Sequence, residues 1–244
     1  MAHERLRVYD KALSFVRLVM PEADAWPSVH CVRDQMDRAM ESVVTNLAKA
    51  AWLQPSPKSV YYLECSMGSV LESAACLDIA LIYELVGKEK VTSWKMMLWE
   101  IASMEVGLRK AWSSSVREEP GEYGEKVKGF PHESLLVYQR GIQLCQVLVH
   151  RVIGSGSTNT RHVRRIDEAL TSLLLNIAEG NGRFSQMDHR QFIATAEESC
   201  IKLAAYLDLS AAVEPGAIEA ARALLHEIMA MLGGMKGYLE SKRE

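Results

Sequence analysis

The chain is poor in the short signatures that mark most catalytic and metal-binding families. It contains no Cys-x-x-Cys, no Glu-x-x-His, no His-x-x-x-His and no Gly-x-Ser-x-Gly. The first omission removes the paired thiolates of redox and zinc motifs. The next two remove the helix-borne ligand pairs of carboxylate-bridged and single-zinc sites. The last removes the strained serine turn of a large hydrolase class. The five cysteines (Cys31, Cys65, Cys76, Cys145, Cys200) are odd in number and lie within apolar helical patterns, so they read as reduced core thiols. No catalytic residue, metal or cofactor is expected, and the chain is not expected to be an enzyme.

Long apolar runs are scarce too. No window is expected to supply the roughly 18 to 20 apolar residues that cross a bilayer, and the start, "MAHERLRVYDK", carries charge where a secretory signal needs an apolar stretch. The expectation is a cytoplasmic protein without a membrane partner. A net charge of −3 also lacks the electrostatic footprint of a dedicated nucleic-acid binder, though not of a local basic patch.

What the sequence does contain is itself, twice. "SMGSVLESAACLDIA" (66–80) aligns with "AEESCIKLAAYLDLS" (196–210) at an offset of 130, and "NLAKA" (46–50) aligns with "NIAEG" (176–180) at the same offset. "VYDKA" (8–12) matches "VYQRG" (137–141) at 129. Three matches in one order at a near-constant offset indicate a tandem duplication. Between the copies, "SSSVREEPGEYGEKVKGFPHES" (113–134) has proline, glycine and charge but little apolar periodicity. The expected division is a first bundle over 1–112, a linker over 113–132 and a second bundle over 133–244.

Each copy reads as four helices. Val8, Ala12, Phe15, Val16 and Val19 recur at the three-and-four spacing of one helical face, and Pro21 is expected to stop that helix. A second helix is predicted over about 29–53. Ser56 is its successor's N-cap, with Pro57 in the first turn, and Gly87 serves as the terminator after about Val86. A fourth runs over about 91–112. The second copy repeats the plan over about 133–153, 160–179, 186–213 and 216–242. The fold class is all-α, with two tandem up-down four-helix bundles joined by a linker.

The stretch "NIAEGNGRFS" (176–185) has the glycines, arginine and serine of a phosphate loop, but a helix precedes it and lysine is absent. It reads as a helix end, a turn and a new start: Gly180 or Gly182 as a left-handed terminator, and Ser185 with Asp188 as a variant capping box. Asn46 and Asn176 share one helical position among apolar neighbours, where a buried amide needs a structural partner.

The same stretch, with the opening "LLVYQR", resembles the small bacterial four-helix-bundle proteins encoded in intervening sequences of large-subunit ribosomal RNA genes. That family includes the accessory variability determinant of diversity-generating retroelements. Asn176, Ile177, Ala178, Glu179, Gly180, Gly182, Arg183 and Ser185 match its characteristic run. The first copy keeps the helix but loses both glycines and the Arg-x-Ser, and the second carries Asp167 and Glu168 where the family has paired arginines. The resemblance implies a compact bundle without catalysis and with a tendency to self-associate, in some members as rings of five. For the retroelement branch it implies work with a reverse transcriptase or ribonucleoprotein and its RNA or DNA.

The candidate binding residues are basic. Arg161, Arg164 and Arg165 share one helical face, while Arg183 and Arg190 flank the glycine corner about 30 Å away by helical rise. They are either a solvated face paired to acids such as Asp167 and Glu168, or a phosphate-binding surface. Two readings therefore stand: an accessory nucleic-acid-associated scaffold, or a structural oligomer or protein-interaction module. Since duplication supplies bundles in pairs, the expected assembly is a self-contained monomer, a dimer, or a ring with an even bundle count.

Overall fold

The computed structural model describes residues 2–54, 56–116, 129–153, 160–182, 185–209 and 215–241. Eight α-helices run in chain order: α1 (Arg7–Asp24), α2 (Val32–Leu53), α3 (Pro57–Ile82), α4 (Lys88–Val116), α5 (Leu136–Leu148), α6 (Thr160–Gly180), α7 (Gln186–Leu209) and α8 (Pro215–Ser241). Among the described residues there is no strand. In each copy every helix packs on its chain neighbours and the first closes on the fourth, which is the up-down bundle expected from the two periodic halves.

Local chemistry sets most of the helix limits. Ser56 accepts the Ser59 N–H at 3.1 Å and Ser59 accepts the Ser56 N–H at 3.2 Å, a complete capping box with Pro57 at the first helical position. Two terminators differ from expectation. Helix α1 runs through Pro21 to Asp24: Pro21 has no N–H to give the Arg17 carbonyl, and only the final turn of the helix follows it. Helix α3 ends at Ile82 rather than near Val86, and the left-handed residue is Glu84 (φ 57°), with the Leu85 N–H returning to the Ala80 carbonyl at 2.9 Å. The carbonyl of Gly87 instead accepts from the Val91 N–H at the start of α4. Helix α4 extends to Val116, and Phe130 and His132, upstream of the second bundle's expected start, are already buried.

The two bundles do not hang separately from the linker. Helix α3 packs against α5 and α6 as well as against α2 and α4, so one apolar cluster runs through both copies. This explains its composition. A helix buried on opposite sides must be apolar nearly all round, and among the described residues α3 is the one helix long and apolar enough, over 18 residues, to cross a membrane. That departs from the expectation that no window would do so, yet most of this stretch is buried against other helices.

Candidate functional site

The basic face lies on the first turns of α6. Arg161, Arg164 and Arg165 are all exposed there. The Arg164 Nε stands 3.0 Å from the Glu168 carboxylate one turn on. The guanidinium of Arg165 donates to the Tyr206 hydroxyl at 3.2 Å, and its carbon lies 5.7 Å from that ring's centroid, a cation–π contact between α6 and α7. Arg190, near the start of α7, pairs with Glu240 of α8 at 3.0 Å. Arg183 lies outside the described residues.

At the corner after α6, the asparagines are parts of a duplicated network. In the first bundle the Asn46 amide donates to the Ser42 hydroxyl at 3.0 Å, and Ser42 meets Ser69 of α3 at 2.7 Å. In the second, Asn176 donates to the Ser172 carbonyl at 2.7 Å, and Ser172 meets Ser199 of α7 at 2.9 Å. The serines were not singled out from sequence. Ser42/Ser172 and Ser69/Ser199 are identical pairs at the repeat offset of 130, which is the signal that finds them.

The two corner glycines have a different reason from the one expected. Neither Gly180 nor Gly182 has the positive φ of a left-handed terminator; among described glycines only Gly129 does. Both instead permit close approach. A Cβ on Gly180 would stand 2.8 Å from the Cβ of Phe192, and one on Gly182 would stand 2.5 Å from Leu71 Cδ1 and 3.5 Å from the Gly68 Cα of α3. Gly182 is therefore a seat for the other copy. Ser185 accepts from the Asp188 N–H at 3.4 Å at the start of α7.

The junction between copies holds the most chemistry. Asp167 is 1% exposed, and its carboxylate accepts from the Cys31 N–H at 2.8 Å and from the Tyr83 hydroxyl, both in the first copy. A carboxylate at this point in α6 thus joins the bundles, whereas Asp37 at the same register of α2 is exposed. A second junction cluster centres on Asp78 of α3. Its carboxylate accepts from the Tyr138 hydroxyl at 3.0 Å and from Lys95 Nζ at 2.5 Å, and Lys95 also reaches Glu133 at 2.7 Å. His132 completes the group: Asp78, His132 and Glu133 each place one potential ligand atom within 4.8 Å of the others. Nothing in the sequence spacing foretells this, because Asp78 and His132 come from different copies.

Burial shapes the titrations. Desolvation raises Asp78 above the usual carboxylate range, partly offset by Lys95. It lowers His132 to about 3, keeping the imidazole neutral, and the nearby Lys95 charge acts in the same direction. Burial pushes the thiols of Cys31, Cys76, Cys145 and Cys200 upward, so none of these four is primed as a nucleophile. Within the first bundle, burial lifts fully enclosed Glu105 to about 8, opposed by Ser66.

Fold and junction together define a class: an all-α protein of two tandem helical bundles packed on each other. The family described as 23S rRNA-intervening sequence protein matches residues 4–107 and again 133–234. The chain therefore belongs to that family, in two tandem copies, and the family is not known as one of enzymes. No curated protein and no solved structure matches the chain.

Proposed function

We propose that the protein is a non-catalytic helical scaffold that acts through protein–protein contacts on its bundle faces, inside the cell. The observation that carries this reading is the state of the expected basic face. Arg164, Arg165 and Arg190 are engaged with Glu168, Tyr206 and Glu240. Phosphate contacts would have to displace these partners, on a chain whose net charge is −3. Raised thiol pKa values and the enclosed carboxylates fit the absence of a catalytic role.

A second reading, an accessory subunit for a reverse transcriptase or ribonucleoprotein, rests on the exposure of Arg161, Arg164 and Arg165 together on one face of α6. Anisotropy of labelled single-stranded RNA and DNA at low salt separates the two. The scaffold reading expects no saturable binding and no difference in the R161A/R164A/R165A variant. Binding that falls steeply with added salt and disappears in that variant would replace it with the nucleic-acid reading.

A further inference from the structure

We propose that Asp78, His132 and Glu133 form a binding site for a divalent transition-metal cation of the zinc class, in which the metal takes the position of the Lys95 ammonium and ties the second copy to α3. This goes beyond the scaffold reading and does not depend on it.

Three observations converge. First, the ammonium marks where a cation fits: Lys95 Nζ stands 2.5 Å from Asp78 and 2.7 Å from Glu133. Second, His132 is fully enclosed, yet neither ring nitrogen has a hydrogen-bond partner among the described residues. An imidazole buried without a partner is costly to the fold, and a metal bond from one nitrogen would remove part of that cost. Third, the surroundings are those of a supported ligand set. The Tyr138 hydroxyl donates to Asp78 Oδ2, fixing the carboxylate and leaving Oδ1 toward Lys95, and the Tyr138 and Phe130 rings hold His132 from two sides at centroid distances of 4.7 and 5.8 Å.

The donor set also selects the metal. One imidazole and two carboxylates suit zinc-like ions, with water in the remaining position, whereas Mg2+ prefers oxygen alone. Ligand atoms in a tetrahedral zinc site lie roughly 3.4 Å apart. The 4.8 Å separation here therefore has to contract, through Glu133 Oε1 on the partly exposed edge of the site, while Oε2 keeps the Phe130 N–H that it accepts at 3.0 Å. Lys95 is linked to its helix by a flexible stem and can withdraw to solvent, and two carboxylates that now share one positive charge would share two.

The test uses the full chain, stripped of metal and titrated with Zn2+ against a competing chromogenic chelator, with Mg2+ as the hard-cation control. The expected result is one Zn2+ per chain, a raised thermal midpoint, and no Mg2+ effect at equal concentration. D78N and H132N should each weaken Zn2+ binding by at least about tenfold, while K95M, which removes the competing ammonium, should tighten it by about tenfold. If H132N does not fold, D78N and K95M still decide. No Zn2+ binding by the wild type up to about 100 µM would overturn the proposal, including the case where K95M alone binds. So would binding that D78N, or a folded H132N, leaves unchanged.

Discussion

Helices α3 and α7 hold the same place in their bundles, yet α3 buries sixteen residues and α7 six. Leu71, on α3, is enclosed, while Ile201 at the same register of α7 is 59% exposed. The difference is the neighbour: α3 is covered by its own bundle on one side and by α5 and α6 on the other. Duplicated halves with one fold can thus have different burial at equivalent positions, and a residue's role follows from which copy it occupies. The contrast runs inward as well. Counting along the buried positions of the fourth helices, Trp94, Leu98, Ile101, Glu105 and Trp112 correspond to Ala221, Leu225, Ile228, Leu232 and Leu239. The first copy therefore encloses Ser66 and Glu105 where the second encloses Ala196 and Leu232.

The largest expected effect lies at the junction. Asp167→Ala leaves the Cys31 N–H and the Tyr83 hydroxyl without their acceptor and should cost about 3 kcal/mol in chemical denaturation, whereas Asp37→Ala should change stability by less than about 0.5 kcal/mol. Equal effects at the two positions would erase the distinction between the copies.

Next comes the buried acid. Ser66 Oγ lies 3.2 Å from the Val43 carbonyl and 2.5 Å from Glu105, and its single hydrogen serves only one of them, so both contacts are made when Glu105 carries a proton. The folded chain holds that proton up to about pH 8, while the unfolded chain releases it near its ordinary value of 4.5. With more protons bound in the folded state, stability declines as pH rises through this window and levels off above it. Glu105→Gln should flatten the profile. The double change S66A/E105L, which installs the second copy's pair, should raise stability by about 2 kcal/mol at pH 8. A wild-type profile already flat between pH 5 and pH 8 would remove the protonated-acid account.

The smallest contrast is in the caps. Ser56→Ala removes the 3.1 Å acceptor of the Ser59 N–H, one half of a reciprocal pair, and should cost about 1 kcal/mol, and Ser185→Ala, which removes a longer contact at 3.4 Å, about half of that. Thermal melts of the two variants measure the difference.

Much of this fold was legible in the sequence because its signals are local. The repeat offset, the three-and-four apolar spacing and the Ser56–Pro57 start each depend on residues close in the chain. The errors share a cause as well. Pro21 and Gly87 have the intrinsic preferences of helix stops, yet α1 continues for one turn through Pro21, and Glu84 takes the left-handed conformation in place of a glycine. Gly182 has the local look of a terminator, whereas its reason is a helix from the other copy. The junction groups were invisible for the same reason: Asp167 meets Cys31 across 136 residues of chain, and no spacing rule reaches that far.

The seat at Gly182 has one more consequence. The contact between copies is not self-matching: the first copy offers α3, and the second receives it on α5 and α6. Such a contact defines a screw operation, and repeating it would add a third bundle at either end. The receiving end of the first copy, however, has Trp52, 76% exposed, at the register of Gly182, and the offering end of the second has exposed Glu198 at the register of Gly68. In polymer terms the chain is a two-unit segment whose interior joint is glycine on glycine and whose two outer registers carry an aromatic and a charged side chain instead.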